Sequence, residues 1–425
     1  VADRRIDRIR AGLAQAGLDA VVLTNQYDVL YATGYASVLE RWNLQEPLAA
    51  AIVAADPRIP VVLAIPEANV ALLAVMKASG RPDRAGEIRV FELLTFCEMA
   101  RQPDPWARQS SIAEASIALY GERVRGRSEP DVVASLATTL VEHGLPGAKL
   151  GFDDLRVGFH LKRDPRLAGI GVEDGLDLMI RARSVKSPEE IEAFRRAGIK
   201  GDLCIEHAAS LVRPGVTWTD LQRELAAYMV SIDVMPLDEG VLLFGGAFDG
   251  EFVPELFRTR YDKPLAKGQI VILETLGQYE QVWIDINRTA YVGTPPAEYV
   301  AMHDAIRDGF LKAVENLRPG RHTADCARIA YEYVRGAGVP APEKLLTLAH
   351  GIGHTPVEMP VGFPSYGLRG AQGFVIEEDM VISLDCLYFG SKLGPCHMEN
   401  VYVIEAGGPV PTYAAPLTIR GPRNV

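Results

Sequence analysis

Apolar positions at the start of the chain fall on a helical stripe. In VADRRIDRIRAGLAQAG, Ile6, Ile9 and Leu13 recur three and four residues apart among charged neighbours, and Gly17 ends the pattern. The stripe reads as a docking helix and not as a signal peptide, whose apolar stretch would be continuous. LDAVVLT follows as a short buried strand. Helix and strand then alternate to about residue 175, through PVVLAIP, a helix near ANVALLAVMKASG, RVFELL, helices around 109–144 and the strand AKLGFD. Such alternation predicts an α/β module. IRARSVKSPEEIEAFRRAGIKGDLCIEHAA opens something different: Ser187 and Glu190 match a capping box, with Pro188 at the first helical position of a long amphipathic helix. The expected domains are therefore 1–175 and 176–425.

The second part repeats itself. LVRPGVTWTDLQRELAAYMV (211–230) aligns with NLRPGRHTADCARIAYEYVR (316–335) at a shift of 105 residues, matching Arg213 with Arg318, Pro214 with Pro319, Gly215 with Gly320 and Asp220 with Asp325. A Pro-Gly turn before a capped helix, occurring twice, predicts two similar halves about a pseudo-twofold axis. A site in such a domain would lie between the halves, where both supply side chains.

Composition narrows the partners. A net charge of −11 over 425 residues disfavours nucleic acid and anionic membranes, which need clustered Lys and Arg. The apolar run LAAAIVAADPRIPVVLAI is broken by Asp56, Pro57 and Arg58, so no membrane span is expected. Cys97, Cys204, Cys326, Cys386 and Cys396 form no CxxC pair and are odd in number, which points to free thiols in a reducing cytoplasm. There is no GxGxxG after a strand, no GxxxxGK[ST], no HExxH and no GxSxG.

Candidate chemistry lies on strand-like segments. GQIVILETLGQYEQVWIDINRTAYVG reads as two strands joined by a turn near Gly277–Glu280, with Glu274 on one and Asp285 on the other. DMVISLDCLYFG ends an apolar run on Asp385, and CHMENVYVIEAGG opens a strand on His397 and Glu399. An acid on an apolar strand is costly unless paired or coordinated. AHGIGHTPVEMP adds His350, His354 and Glu358, but Gly351, Gly353 and Pro356 oppose a helix that would put both histidines on one face. By residue type alone the segment is a metal site, a catalytic base or a tight turn. Four acids with one imidazole form an oxygen-rich set suited to one or two divalent ions, Mn, Fe, Co or Zn.

The sequence resembles the pita-bread metallopeptidases (metallopeptidase family M24), which include methionine aminopeptidase, aminopeptidase P, prolidase and creatinase. YDVLYATGY (27–35) is similar to the creatinase/prolidase N-terminal domain, and RARSVKSPEEI to the start of that group's catalytic domain. The resemblance implies an α/β (α+β) protein, a creatinase-like N-terminal domain followed by a pita-bread domain, and a homodimer acting on a small-molecule substrate. The family's ligand order is Asp, Asp, His, Glu, Glu, with the two Asp eleven apart. Glu274 and Asp285 are eleven apart, Asp285-Ile-Asn-Arg-Thr resembles the family's Asp-x-Thr-Arg-Thr, and His350, Asp385 and Glu399 fill the remaining places. By the same resemblance Glu358 lies beside the attacking water as proton shuttle. His354 and His397 are further candidates for contact with the reacting groups.

Departures from the family pattern bear on the substrate. Glu274 stands where the family has Asp, and Asp385 where it has Glu; by analogy the two swaps fall on different metals. The family's His-Glu-x-Pro is Val357-Glu358-Met359-Pro360 here, and Phe252 takes the place of an upstream histidine. Both lost histidines serve the scissile amide in peptidases of this fold. The expectation is a metal-dependent hydrolase cleaving a C–N bond of a small carboxylated or zwitterionic metabolite. Alternatives are an Xaa-Pro dipeptidase or aminopeptidase, a lyase like that acting on dimethylsulfoniopropionate, and a degenerate metal-free binding protein. YATGYASVLERWNLQEPL loosely resembles that lyase's N-terminal domain, so Arg41 and Trp42 are candidates for recognising a substrate carboxylate or cation.

Overall fold

The computed structural model describes residues 3–37, 45–78, 80, 83–93, 123–236, 245–247, 251–253, 264–365 and 367–421. Arg41, Trp42, Cys97 and the helical stretch expected before residue 123 lie outside the described residues. Contacts divide the chain into two compact units, Val1–Arg183 and Ser184–Val425.

In the first unit Asp3 caps the helix Arg4–Ala16, and Gly17, at φ 63°, turns the chain out of it while its N–H reaches back to the helix carbonyls. Ile6, Ile9 and Leu13 are buried, as their spacing predicts. Six strands follow among the described residues: β1 (Ala20–Leu23), β2 (Ala50–Ala54), β3 (Val62–Pro66), β4 (Glu87–Phe91), β5 (Lys149–Phe152) and β6 (Gly171–Asp174). They form one sheet in the order β4-β3-β2-β1-β5-β6. Val21, Leu23, Val53 and Leu63 enter one core, and Val22, Ile52, Val62 and Phe152 another. Burial on both faces explains why these strands read as continuous apolar runs instead of alternating ones. The helix Leu176–Ser184 gives Leu178, Met179 and Ala182 to the first of these cores.

The second unit opens with the helix Pro188–Leu211, whose capping box is complete: the Ser187 hydroxyl accepts from the Glu190 N–H and the Glu190 carboxylate from the Ser187 N–H. Its strands are β7 (Met235–Pro236), β8 (Gly245–Ala247), β9 (Glu251–Val253), β10 (Ile270–Tyr279), β11 (Val282–Tyr291), β12 (Leu345–Gly351), β13 (Glu358–Val361), β14 (Val381–Ser391), β15 (Gly394–Glu405) and β16 (Gly408–Pro411). Eight run in the order β13-β12-β14-β15-β11-β10-β8-β9, with β16 beside β15 and β7 beside β10. Helices Pro188–Leu211 and Trp218–Ser231 share a core with β10 and β11; helices Ala297–Val314 and Ala324–Gly336 share one with β14 and β15. Each half is thus a helix pair followed by antiparallel strands. The repeated Pro-Gly turns are alike in backbone, with Gly215 at φ 88° and Gly320 at φ 81°.

The β10–β11 turn lies later than the glycine signal indicates. Tyr279 pairs with Val282, leaving Glu280 and Gln281 as a two-residue turn at φ 48° and 68°. Gly277 sits inside β10, where a Cβ would collide with Met229 and lie 2.6 Å from Val234. It serves close packing.

Arg288 fastens the centre of this unit. It is 1 % exposed, and its five N–H groups all have acceptors. Nη1 donates to the carbonyls of Asn287 and Glu399, both at 2.7 Å, Nη2 to the Ala415 carbonyl at 2.7 Å and Asn400 Oδ1 at 2.8 Å, and Nε to the Pro416 carbonyl at 3.0 Å. One side chain therefore joins β11, β15 and the segment after β16. Burial pushes its pKa down to about 10, so the guanidinium remains charged at neutral pH.

Among the described residues no helix is long and apolar enough to cross a membrane. Cys204, Cys326, Cys386 and Cys396 are buried free thiols, and burial pushes the first three up to about 12, 11 and 12. None is set up as a nucleophile.

Arg288→Lys leaves three donors for five acceptors. With each unpaired buried group costing about 1–3 kcal/mol, the expected loss of stability is about 2–6 kcal/mol. It is read as a lower urea midpoint at unchanged slope. An unaltered midpoint would show that these contacts are incidental.

Candidate metal centre

Strand register brings the acids together. Glu274 on β10 pairs with Asn287 on β11, Asn287 with Glu399 on β15, and Glu399 with Asp385 on β14. Four positions thus form one row across four neighbouring strands. Asp285 lies two residues before Asn287 and His397 two before Glu399, so both share the row's face. On β12, Leu348 pairs with Asp385 and His350 with Ser383, which brings His350 to the same group. All except Asp385 are buried, and Asp385 is only slightly more open.

His350 is the hub. Its Nε2 lies 3.3 Å from Asp385 Oδ2, 3.8 Å from Glu399 Oε1 and 3.9 Å from Asp285 Oδ2. Its Nδ1 lies 2.9 Å from the Gly351 carbonyl, which can only accept, so Nδ1 carries the proton. Nε2 is then the nitrogen turned towards three carboxylate oxygens, as a donor while the ring is protonated and as a lone pair once that proton leaves. Positive charge has to lie between them, either a proton or a metal ion.

The acids report the same crowding. Burial, and then the charge of Glu399, hold Asp285 well above the ordinary carboxylate range; burial and the charges of Glu399 and Asp385 do so for Glu274. For Asp385, burial acts upward but is outweighed by hydrogen bonds from His350 and His397, which hold it below that range. Burial would lower His350, yet hydrogen bonds to Asp385 and Glu399 raise it. Buried carboxylates that suppress one another's ionisation, facing an imidazole in the ligating tautomer, fit a divalent cation. Among the described residues two three-residue groups have ligand atoms mutually within 4.8 Å: Asp285, His350 and Glu399, and Asp385, His397 and Glu399. Glu274 stands beside them, its Oε2 accepting from Asn287 Nδ2 at 3.0 Å.

Glu358 opens β13. Its Oε1 accepts from the His354 N–H at 3.0 Å, and its Oε2 faces the Lys186 ammonium at 3.3 Å, both side chains buried. Gly353 makes room, because a Cβ there would collide with this carboxylate. His354 is placed beside Glu358, with Nδ1 2.9 Å from the Gln281 carbonyl and its own carbonyl accepting from Trp283 Nε1 at 2.8 Å. Val357 is half-buried, its carbonyl accepting from the Thr355 hydroxyl at 3.0 Å. Phe252 lies on β9 opposite Gly246. Sequence reasoning missed three supports. Ser383 donates to Glu399 Oε1 at 2.6 Å, the Tyr413 hydroxyl accepts from the Asp285 N–H at 2.8 Å, and Lys186 pairs with Glu358. Ser383 had a signal, two residues before Asp385 on one strand, and Lys186 lies inside a motif read only as a domain start; Tyr413 had none.

Paired helices over antiparallel strands that carry a buried carboxylate–imidazole centre define the pita-bread fold, here with a creatinase-type domain before it. The chain belongs to metallopeptidase family M24: that family's profile matches residues 192–406, and the creatinase/prolidase N-terminal domain matches residues 5–77. An ectoine hydrolase from Halomonas elongata is 31% identical over 163 residues, 36% of this chain and 40% of that protein. An uncharacterized peptidase from Staphylococcus aureus is 25% identical over 244 residues, 56% of this chain and 65% of the other. The matches thus span 40% to 65% of the length of these relatives. A prolidase from Pyrococcus horikoshii OT3 superposes with TM-score 0.67 at 17% identity, over 97% of this chain and 99% of its own. An Xaa-Pro dipeptidase from Bacillus anthracis superposes with TM-score 0.70 at 18% identity, over 98% of both chains. At such identity these structures speak for the fold alone.

Asp285→Asn keeps the shape and removes a charge from the centre. Metal retained through purification, measured by elemental analysis, is expected to fall sharply, and catalysis to be lost. A fully loaded, active variant would sink the assignment of Asp285 as a ligand.

Proposed function

We propose that the protein is a metal-dependent hydrolase that cleaves a C–N bond in a small polar metabolite, carboxylated or zwitterionic. The observation that carries this reading is the Val357–Glu358 pair. The carboxylate suited to proton transfer is retained and held between Lys186 and the His354 amide, while its neighbour presents no side-chain donor to an amide. The relative named as an ectoine hydrolase supports a small-metabolite substrate.

Asp285, His350, Asp385 and Glu399 would hold one or two ions among Mn, Fe, Co and Zn, with Glu274 beside them. When bound, a divalent ion supplies Lewis-acid polarisation and activation of water. Glu358 accepts the proton of the attacking water and delivers it to the leaving nitrogen. Lys186 keeps that carboxylate oriented through its ion pair at 3.3 Å. Ser383 and Tyr413 fix the Glu399 carboxylate and the Asp285 backbone.

The test is a panel of ectoine, small zwitterionic amides and Xaa-Pro dipeptides, with Mn, Fe, Co and Zn supplied in turn. Losing one oxyanion-type donor costs about a hundredfold or more in turnover, so two missing histidines should leave Xaa-Pro cleavage very slow. Turnover of a zwitterionic metabolite is expected. Xaa-Pro cleavage above about one per second would favour the dipeptidase reading, and elimination products without hydrolysis would favour a lyase.

The creatinase-type layout further supports a homodimer. A solution mass near twice 46.3 kDa is expected by light scattering at micromolar concentration, and a mass near one chain counts against it.

A further inference from the structure

His397 is 5 % exposed, and its Nε2 lies 3.1 Å from Asp385 Oδ1. The other oxygen of the same carboxylate faces His350 Nε2 at 3.3 Å. Two imidazoles therefore flank one aspartate, each with the nitrogen that could bind a metal turned towards it. Glu399 belongs to both three-residue groups, one containing His350 and the other His397. A carboxylate shared between two such groups is the usual form of a bridging ligand in a dinuclear site. Backbone contacts hold His397 in place: its N–H donates to Thr289 Oγ1 at 2.9 Å, and its carbonyl accepts from the same hydroxyl at 3.0 Å. The buried Nδ1 has no hydrogen-bond partner among the described residues. A histidine kept in a dry core only for packing would normally have that atom satisfied.

We infer that His397 is a metal ligand, and that with Asp385 and Glu399 it forms a second cation position beside that of Asp285, His350 and Glu399. The inference rests on the metal-dependent reading above and departs from the family's single-imidazole set. It gives the shorter Asp385 an imidazole partner on its own strand pair. It also assigns Glu274 to an outer place, hydrogen-bonded to Asn287. A ligating Nε2 leaves the proton on Nδ1, which then offers its hydrogen bond to an acceptor outside the described protein groups, such as a substrate oxygen.

The deciding measurement is X-ray absorption on the zinc-loaded wild-type protein, where outer-shell scattering counts imidazoles. Two zinc ions per chain with two imidazoles between them are expected; two zinc ions with one imidazole, or a single zinc ion, overturn the assignment. His397→Gln should retain one zinc ion in place of two, and Glu274→Gln should still retain two. An outer hydrogen-bonding partner costs about ten- to a hundredfold in metal affinity without changing the number bound. That pattern in His397→Gln would make His397 a positioning residue and overturn the ligand role. If the variant does not fold, judged by circular dichroism of the metal-free form, the wild-type spectrum alone decides. A wild-type protein that takes up no metal would remove the metal-dependent reading as well, whereas two zinc ions with one imidazole would remove only His397.

Discussion

Negative charge concentrated in a water-poor sheet is the constraint around which the second unit is arranged. Glu274, Asp285, Asp385 and Glu399 crowd around one row, and the charge of Glu399 reaches both Glu274 and Asp285. Two unit charges about 4 Å apart repel by about 4 kcal/mol at an effective dielectric constant of 20, so several such pairs rival the stability of a whole domain. The nearby fixed cations are committed elsewhere. Lys186 pairs with Glu358, and Arg288 spends its donors on carbonyls and Asn400. What remains is a group of acids that accepts protons or metal, and a divalent ion relieves both the repulsion and the desolvation at once.

Such a group needs a scaffold that does not relax away from it. Sheet register supplies much of this: Asp385 and Glu399 are held by backbone pairing on both sides, and Glu274 and Asp285 by the pairing of β10 with β11. Only one pair, Asn287 with Glu399, joins β11 to β15 in register. Arg288 reinforces that seam by taking the carbonyls of both residues. Thr289 does the same one residue further on, exchanging hydrogen bonds with the His397 backbone. The segment Asp285–Thr289 thus carries one candidate ligand, Asp285, and three residues that hydrogen-bond across the strands, Asn287, Arg288 and Thr289.

Local rules made much of this legible. The capping box at Ser187, the stripe of Ile6, Ile9 and Leu13, and the twice-used Pro-Gly turn each depend on a few adjacent residues, and each is found in place. The eleven-residue interval between Glu274 and Asp285 is a hairpin read lengthwise: it nearly closes on itself in the β10–β11 pairing, where Leu276 faces Asp285. What failed to show depends on contacts far apart in sequence. Gly277 looked like a turn because the side chains that forbid a Cβ there, Met229 and Val234, belong to the preceding helix and the residues just after it. Tyr413 reaches Asp285 across 128 positions, and Lys186 reaches Glu358 across 172. No spacing rule spans such distances. Phe252 and Val357 were named for what they lack, and a missing donor is easier to see in a sequence than a new one.

The two carboxylate swaps look symmetrical in sequence, one methylene gained at Glu274 and one lost at Asp385, but their surroundings are not. The longer Glu274 arm is tied sideways to Asn287, a neutral partner that satisfies one oxygen and adds no charge. The shorter Asp385 arm is met from both sides by imidazole. Total charge is conserved across the row, yet attraction is not: the positive or protonatable groups gather at the β12–β14–β15 end, while Glu274 at the β10 end has an amide. A cation entering this site would find its softer nitrogen donors at one end and only oxygen at the other, which favours nitrogen-tolerant ions such as zinc or cobalt where the imidazoles stand. The chemical centre of the row thus lies towards β14 and β15, where two imidazoles meet Asp385.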